Sequence, residues 1–99
     1  MLTFADLARL DDRGLGTLLR AIDNALLVPA LKGAEARMRA RCLGCMSSRA
    51  AQTIEDELAE SAPMPMAEVE AAQRAIVAVA RRLADEGVLM LGQGSADYV

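Results

Sequence analysis

The chain has 99 residues, 54% of them hydrophobic and 25% charged, and a net charge of -3. This suits one small globular domain with a single core and argues against disorder. With Phe4 and Tyr98 as its only aromatic residues, it lacks the rings that stack nucleic-acid bases, and its negative balance counts against a phosphate partner as well.

Residues 1–10 place apolar side chains at 1, 2, 4, 7 and 10, which predicts a short helix or a packed arm. Asp11 or Asp12 is positioned to cap the next helix, where Leu15, Leu18, Leu19 and Ile22 follow the i, i+3, i+4, i+7 spacing of one helical face. Gly14 and Gly16 each weaken that helix by about 1 kcal/mol relative to alanine, so it depends on tertiary support. Asp23 or Asn24 begins a short segment that ends at Leu31. Pro29 lies late within it, where a kink or a truncation is expected. Lys32-Gly33 reads as a helix stop, with the glycine available for a left-handed turn.

A fourth helix is expected from about residue 34 to 45, with Met38, Cys42 and Cys45 on one stripe. Ser47 caps a fifth, which runs to Glu60. Ala62-Pro63-Met64-Pro65 is the clearest break, because each proline restricts the residue before it to extended conformations. The longest helix follows, from about 67 to 86, with its inner stripe at Val69, Ala72, Ile76, Val79/Ala80 and Leu83. Its outer face offers the pairs Glu70–Arg74 and Arg81–Asp85. Gly87 closes this helix, and an irregular tail with glycines at 92 and 94 is expected to follow. No period-two pattern is long enough for a strand, so the predicted class is all-α, one domain of five to six helices.

The candidate chemistry is sparse. Histidine is absent and Lys32 is the one lysine. Cys42-Leu43-Gly44-Cys45 is formally C-x-x-C, but it lies near a helix C-terminus, where the dipole disfavours a thiolate, and no third cysteine completes a metal site. An apolar stripe explains both cysteines. Gly92-Gln93-Gly94 follows no strand-to-helix unit, so a phosphate loop is not supported. Asp56 and Glu57 fall on an exposed helix face with nothing nearby to bury them, which makes them poor candidates for acid–base catalysis. The chain therefore reads as neither an enzyme nor a cofactor carrier. No apolar run approaches the ~18 residues that span a bilayer, and no signal peptide is visible. The expected compartment is the cytoplasm, where both cysteines stay reduced.

What stands out is the arrangement of charge. Lys32 to Arg49 holds five basic residues and one acid, and Glu55 to Glu70 holds six acids and no base. On the Ser47–Glu60 helix, Ala51, Ile54 and Leu58 share one side, while Arg49, Gln52, Asp56 and Glu60 align on the other with Glu57 on the flank. Taken alone, such a ridge is an ordinary solvated face.

Several stretches together resemble the C-terminal domain of the bacterial flagellar motor switch protein FliG. Met1-Leu2-Thr3-Phe4 resembles the family's hinge motif and leads into Ala5-Asp6-Leu7. Ala30-Leu31-Lys32-Gly33-Ala34 and Met46-Ser47-Ser48-Arg49-Ala50-Ala51, followed by Asp56-Glu57-Leu58, look like family motifs. Glu68-Val69-Glu70, Ala80 to Ala84 and Asp97-Tyr98-Val99 match as well. The similarity runs from residue 1 to 99.

The resemblance implies a compact, armadillo-like superhelical bundle that forms a single domain over residues 1–99, with residues 1–4 as a hinge and neither the family's N-terminal nor its middle domain. It implies a rotor component on the cytoplasmic side of the inner membrane, at the flagellar basal body. There it would meet the cytoplasmic loop of the stator protein MotA and work beside FliM and neighbouring FliG subunits, without entering the membrane. The stator-facing charges would be Lys32, Arg49, Asp56 and Glu57, and Pro65 stands where the family often has a second arginine. The alternative reading is a stand-alone helical adaptor derived from the family, with a thiol redox role for Cys42 and Cys45 far behind.

Overall fold

A computed structural model describes residues 1–91, and the expected tail, including Gly92-Gln93-Gly94, lies outside the described residues. A 3-10 helix, Ala5–Arg9, leads into five α-helices: α1 (Asp12–Arg20), α2 (Asn24–Lys32), α3 (Ala36–Gly44), α4 (Ser48–Glu60) and α5 (Met66–Asp85). No strand occurs among the described residues. The all-α class expected from the hydrophobic periodicity is what forms.

Helix boundaries follow local chemistry. The Asp11 carboxylate accepts the Gly14 amide at 2.7 Å to start α1, and the Ser47 hydroxyl accepts the Ala50 amide at 3.1 Å to start α4. Each satisfies one of the donors that a helix N-terminus leaves without an intrahelical partner. Asp23 occupies the cap position of α2 but makes no side-chain cap bond. Helix α5 closes at Gly87, whose φ of +77° allows the Val88 amide to reach the Leu83 carbonyl and the Gly87 amide to reach that of Ala84. This double closure is a Schellman ending, and it turns the chain so that Leu89 is buried.

Three expectations are corrected. Helix α2 is not cut short at Pro29 but runs through it for three more residues. The bond that Pro29 cannot donate is owed to the carbonyl of Ala25, which lies in the exposed first turn of the helix within reach of water. Gly33 ends α2 with φ at -90°, so it is not left-handed. Its requirement is space, because a Cβ built there would collide with Cγ1 of Val69 on α5. The outer-face pairs Glu70–Arg74 and Arg81–Asp85 do not close to ion-pair distance.

The core gathers around α2, which packs most extensively on α5 and next on α4. Leu27, Ala30 and Leu31 of α2 meet Ile76, Ala72 and Ala80 of α5 in one cluster with Leu7, Leu15, Leu18 and Ile54. Small residues at Ala30, Ala72 and Ala80 let the helices approach closely. Arg41 of α3 stitches the chain start to this core: its guanidinium donates to the carbonyls of Ala8 and Leu10 and pairs with the Asp12 carboxylate.

The Gly33 contact sets a stability prediction. Gly33→Ala should destabilise the domain by about 1–3 kcal/mol, as overpacked core sites do. Gly44→Ala, with nothing within 4 Å of the added carbon, should be neutral or stabilising by up to about 1 kcal/mol. Urea unfolding of both variants checks the contrast.

Candidate functional site

Helix α4 is mostly surface. Ile54 is its one buried residue at 1% exposure, with Leu58 packed partly against the core. A groove of ≈ 320 Å³ separates its first half from α1 and the start of α2, lined by Leu19, Ile22, Leu27, Ser47, Ala50 and Ile54. Arg49, Gln52, Asp56, Glu57 and Glu60 are all exposed. Gln52 donates to the Asp56 carboxylate at 2.9 Å, which steadies that acid on the ridge. The side chains of Arg49 and Glu57 make no hydrogen bond or ion pair among the described residues. Arg49 and Asp56 stand seven residues apart, about 10 Å along the axis and on the same face.

Lys32 is placed differently from the other three sequence-predicted charges. Its half-buried ammonium turns inward and donates to Ser61 Oγ at 2.8 Å, the Ser61 carbonyl at 3.3 Å and the Ala62 carbonyl at 2.6 Å. The last turn of α4 has no basic residue of its own and carries acids where the helix dipole is already negative. Lys32 supplies the missing cation from another helix. This role was not read from the sequence; the signal for it was an acid-rich helix end with no base, next to the prolines.

Pro65 sits at the cap position of α5, exposed and extended, with its carbonyl accepting from Glu68 and Val69. In the segment 1–4, Met1 is exposed while Leu2 and Phe4 pack partly on the core. Thr3 and Asp6 exchange hydrogen bonds, the Thr3 amide to Asp6 Oδ2 at 2.9 Å and the Asp6 amide to Thr3 Oγ1 at 3.3 Å. The bonds from Thr3 hold the Asp6 carboxyl below its ordinary pKa.

The cysteines are both free thiols. Burial, followed by the neighbouring Cys45, pushes Cys42 up to about 11, the opposite of what a reactive thiolate needs. Cys45 lies near Arg41 and Asp12 at the end of α3. Among the described residues, no group of three or more His, Cys, Asp or Glu side chains is placed to hold a metal ion.

Known proteins share this fold. Residues 1–91 match the family model described as the FliG C-terminal domain. The chain belongs to the FliG C-terminal domain family. It is similar to the flagellar motor switch protein FliG of Vibrio cholerae, 40% identical over all of this chain and 28% of that protein. It is also similar to FliG of Thermotoga maritima, 36% identical over 98% of this chain and 29% of that protein. Among solved structures, a FliG fragment from H. pylori superposes with a TM-score of 0.87 at 31% identity, covering 91% of this chain and 40% of that one. Full-length FliG from Aquifex aeolicus gives 0.83 at 36% identity, covering 88% and 27%. The chain thus spans under a third of the curated FliG relatives it matches. No helix of the described FliG domain is long and apolar enough to cross a membrane.

Two outcomes are expected. Lys32→Met should destabilise the domain by about 1–3 kcal/mol, since a charged hydrogen-bonding group is lost from partly buried acceptors. Amide exchange should accelerate first around Leu58 to Ala62, and Lys32→Arg should restore part of the protection. Because the folded-state pKa of Cys42 lies above the ordinary thiol value, its contribution is fully present below the unfolded pKa near 9 and is lost as pH rises towards about 11. Chemical denaturation between pH 8 and 11 should show that loss in the wild type and less of it in Cys42→Val.

Proposed function

We propose that this domain serves in the rotor of a flagellar motor and presents α4 to the cytoplasmic loop of a stator protein of the MotA kind. Membership of the FliG C-terminal family supports the rotor assignment. The observation that carries the contact surface is the state of α4: Arg49 and Glu57 are exposed and unpaired, and Asp56 is steadied on the same helix. Arg49, Asp56 and Glu57 are then the charges that meet the partner, and Lys32 acts by holding the end of the helix that carries them. Pro65, at the start of α5, adds no charge, so Arg49 carries the positive role on this ridge.

The physics suits a contact that must form and break repeatedly. Exposed ion pairs contribute only ~0.2–1 kcal/mol each and weaken with salt. A partner with opposite charges at about 10 Å separation would be steered into register by them. In this reading the domain works at the cytoplasmic face of the inner membrane, beside FliM and neighbouring FliG subunits, and residues 1–4 act as its hinge to the rest of the rotor.

The test is a charge swap. Arg49→Asp combined with Asp56→Arg should abolish swimming while leaving the melting temperature unchanged. Arg49→Ala should weaken binding to a MotA loop by about two- to fivefold at low salt, with the difference vanishing at high salt. Undiminished motility of the swapped protein sinks the proposal, and salt-independent binding elsewhere on the domain favours the adaptor.

A further inference from the structure

A second concave surface lies away from α4. The 3-10 helix, the α2–α3 link, α3 and Gln73 of α5 line a groove of ≈ 670 Å³, to which no residue of α4 contributes. Its floor is apolar, formed by the partly buried Phe4 and Ala8 and by Met38 at 8% exposure. Three guanidinium groups stand on its walls, those of Arg9, Arg37 and Arg41. Arg41 is committed to Asp12 and to backbone carbonyls. Arg9 and Arg37 are exposed and make no side-chain hydrogen bond or ion pair among the described residues.

The groove's acidic lining is Glu35, one carboxylate against those two uncommitted guanidiniums. Glu35 occupies the cap position of α3 but forms no side-chain cap bond, and the first turn of α3 contains no acid. The Glu35 carboxylate is thus the only acid at that helix start among the groove's lining residues, and the guanidiniums of Arg9 and Arg37 outnumber it. An apolar floor rimmed by spare guanidiniums fits one ligand chemistry: apolar side chains flanked by carboxylates, which arginine's planar fork engages well.

We propose that this groove docks an acidic amphipathic segment of a partner protein, with its apolar side chains on Phe4, Ala8 and Met38 and its carboxylates on Arg9 and Arg37. A helix laid into a groove is a recurrent mode of peptide recognition. The site shares no residue with the α4 ridge, so either can fail while the other stands. A bilayer surface is the competing occupant for basic and apolar residues together, but a flat surface does not enter a concavity.

The test uses the whole chain and a fluorescein-labelled helical peptide with leucines on one face and glutamates beside them. Its counterpart with lysines in place of the glutamates and vesicles containing phosphatidylserine are measured alongside. The acidic peptide should bind and weaken with salt, shifting backbone amides at Ala5–Arg9 and Glu35–Arg41. Arg9→Glu with Arg37→Glu should cost at least about tenfold in affinity. Arg9 lies close enough to Asp6 to favour its carboxylate. The melting temperature of the double variant is therefore read beside that of Arg37→Glu alone. This single variant loses no hydrogen bond or ion pair among the described residues and should keep its melting temperature while still weakening binding of the acidic peptide. Equal binding of the lysine peptide, amide shifts centred on α4, or vesicle binding without saturable peptide binding would each overturn the assignment.

Discussion

The C-terminal end of α2 is the junction on which the rest of the domain depends. A helix end leaves carbonyls without intrahelical partners, and at this one Ala30 and Leu31 are buried, Lys32 and Ala34 are half-buried and Gly33 is exposed. Two neighbouring helices donate to acceptors there. Gln73 of α5 donates to the Ala30 carbonyl at 3.0 Å, and Arg39 of α3 donates to Leu31 at 3.1 Å and Ala34 at 2.9 Å. Lys32, the last residue of α2, reaches across to the end of α4. Three helices are thus indexed to one point, with Gly33 leaving room for Val69 beside it.

This junction accounts for how α4 can carry so little buried surface. A helix with a single fully buried side chain is marginal by hydrophobic contact alone. Its place on the domain is fixed by the Lys32 bonds at its far end and by Ile54 and Leu58 on the core, while the Ser47 cap stabilises its own first turn. The outer surface, with the charged ridge, is left free of packing duties.

Much of this was legible in the sequence. The caps at Asp11 and Ser47, the proline break, the glycine ending of α5 and the inner stripe of Val69, Ala72, Ile76 and Ala80 all follow from local rules, and they formed. What was not legible is whatever depends on which helix end faces which side chain. Periodicity gives the angular position of Lys32 on α2, but not that an acid-rich helix end lies within reach of its ammonium. Likewise, Gly33 reads as a backbone requirement until Val69 is placed against it. The pairs Glu70–Arg74 and Arg81–Asp85 have the right spacing yet stay apart, consistent with how little an exposed pair gains against side-chain entropy.

The inward turn of Lys32 has a mechanical consequence. Arg49 stands twelve residues before Ser61, so a sideways push at that guanidinium acts on a lever of roughly 18 Å. The first half of the lever has the groove beneath it, and Ile54 serves as its fulcrum. The ammonium clamp at Ser61 and Ala62 ties the far end of the lever to α2, which shares its largest contact face with α5. Under the proposed contact the lysine would be less a docking charge than a bearing, resisting the bending of one helix against the rest of the domain.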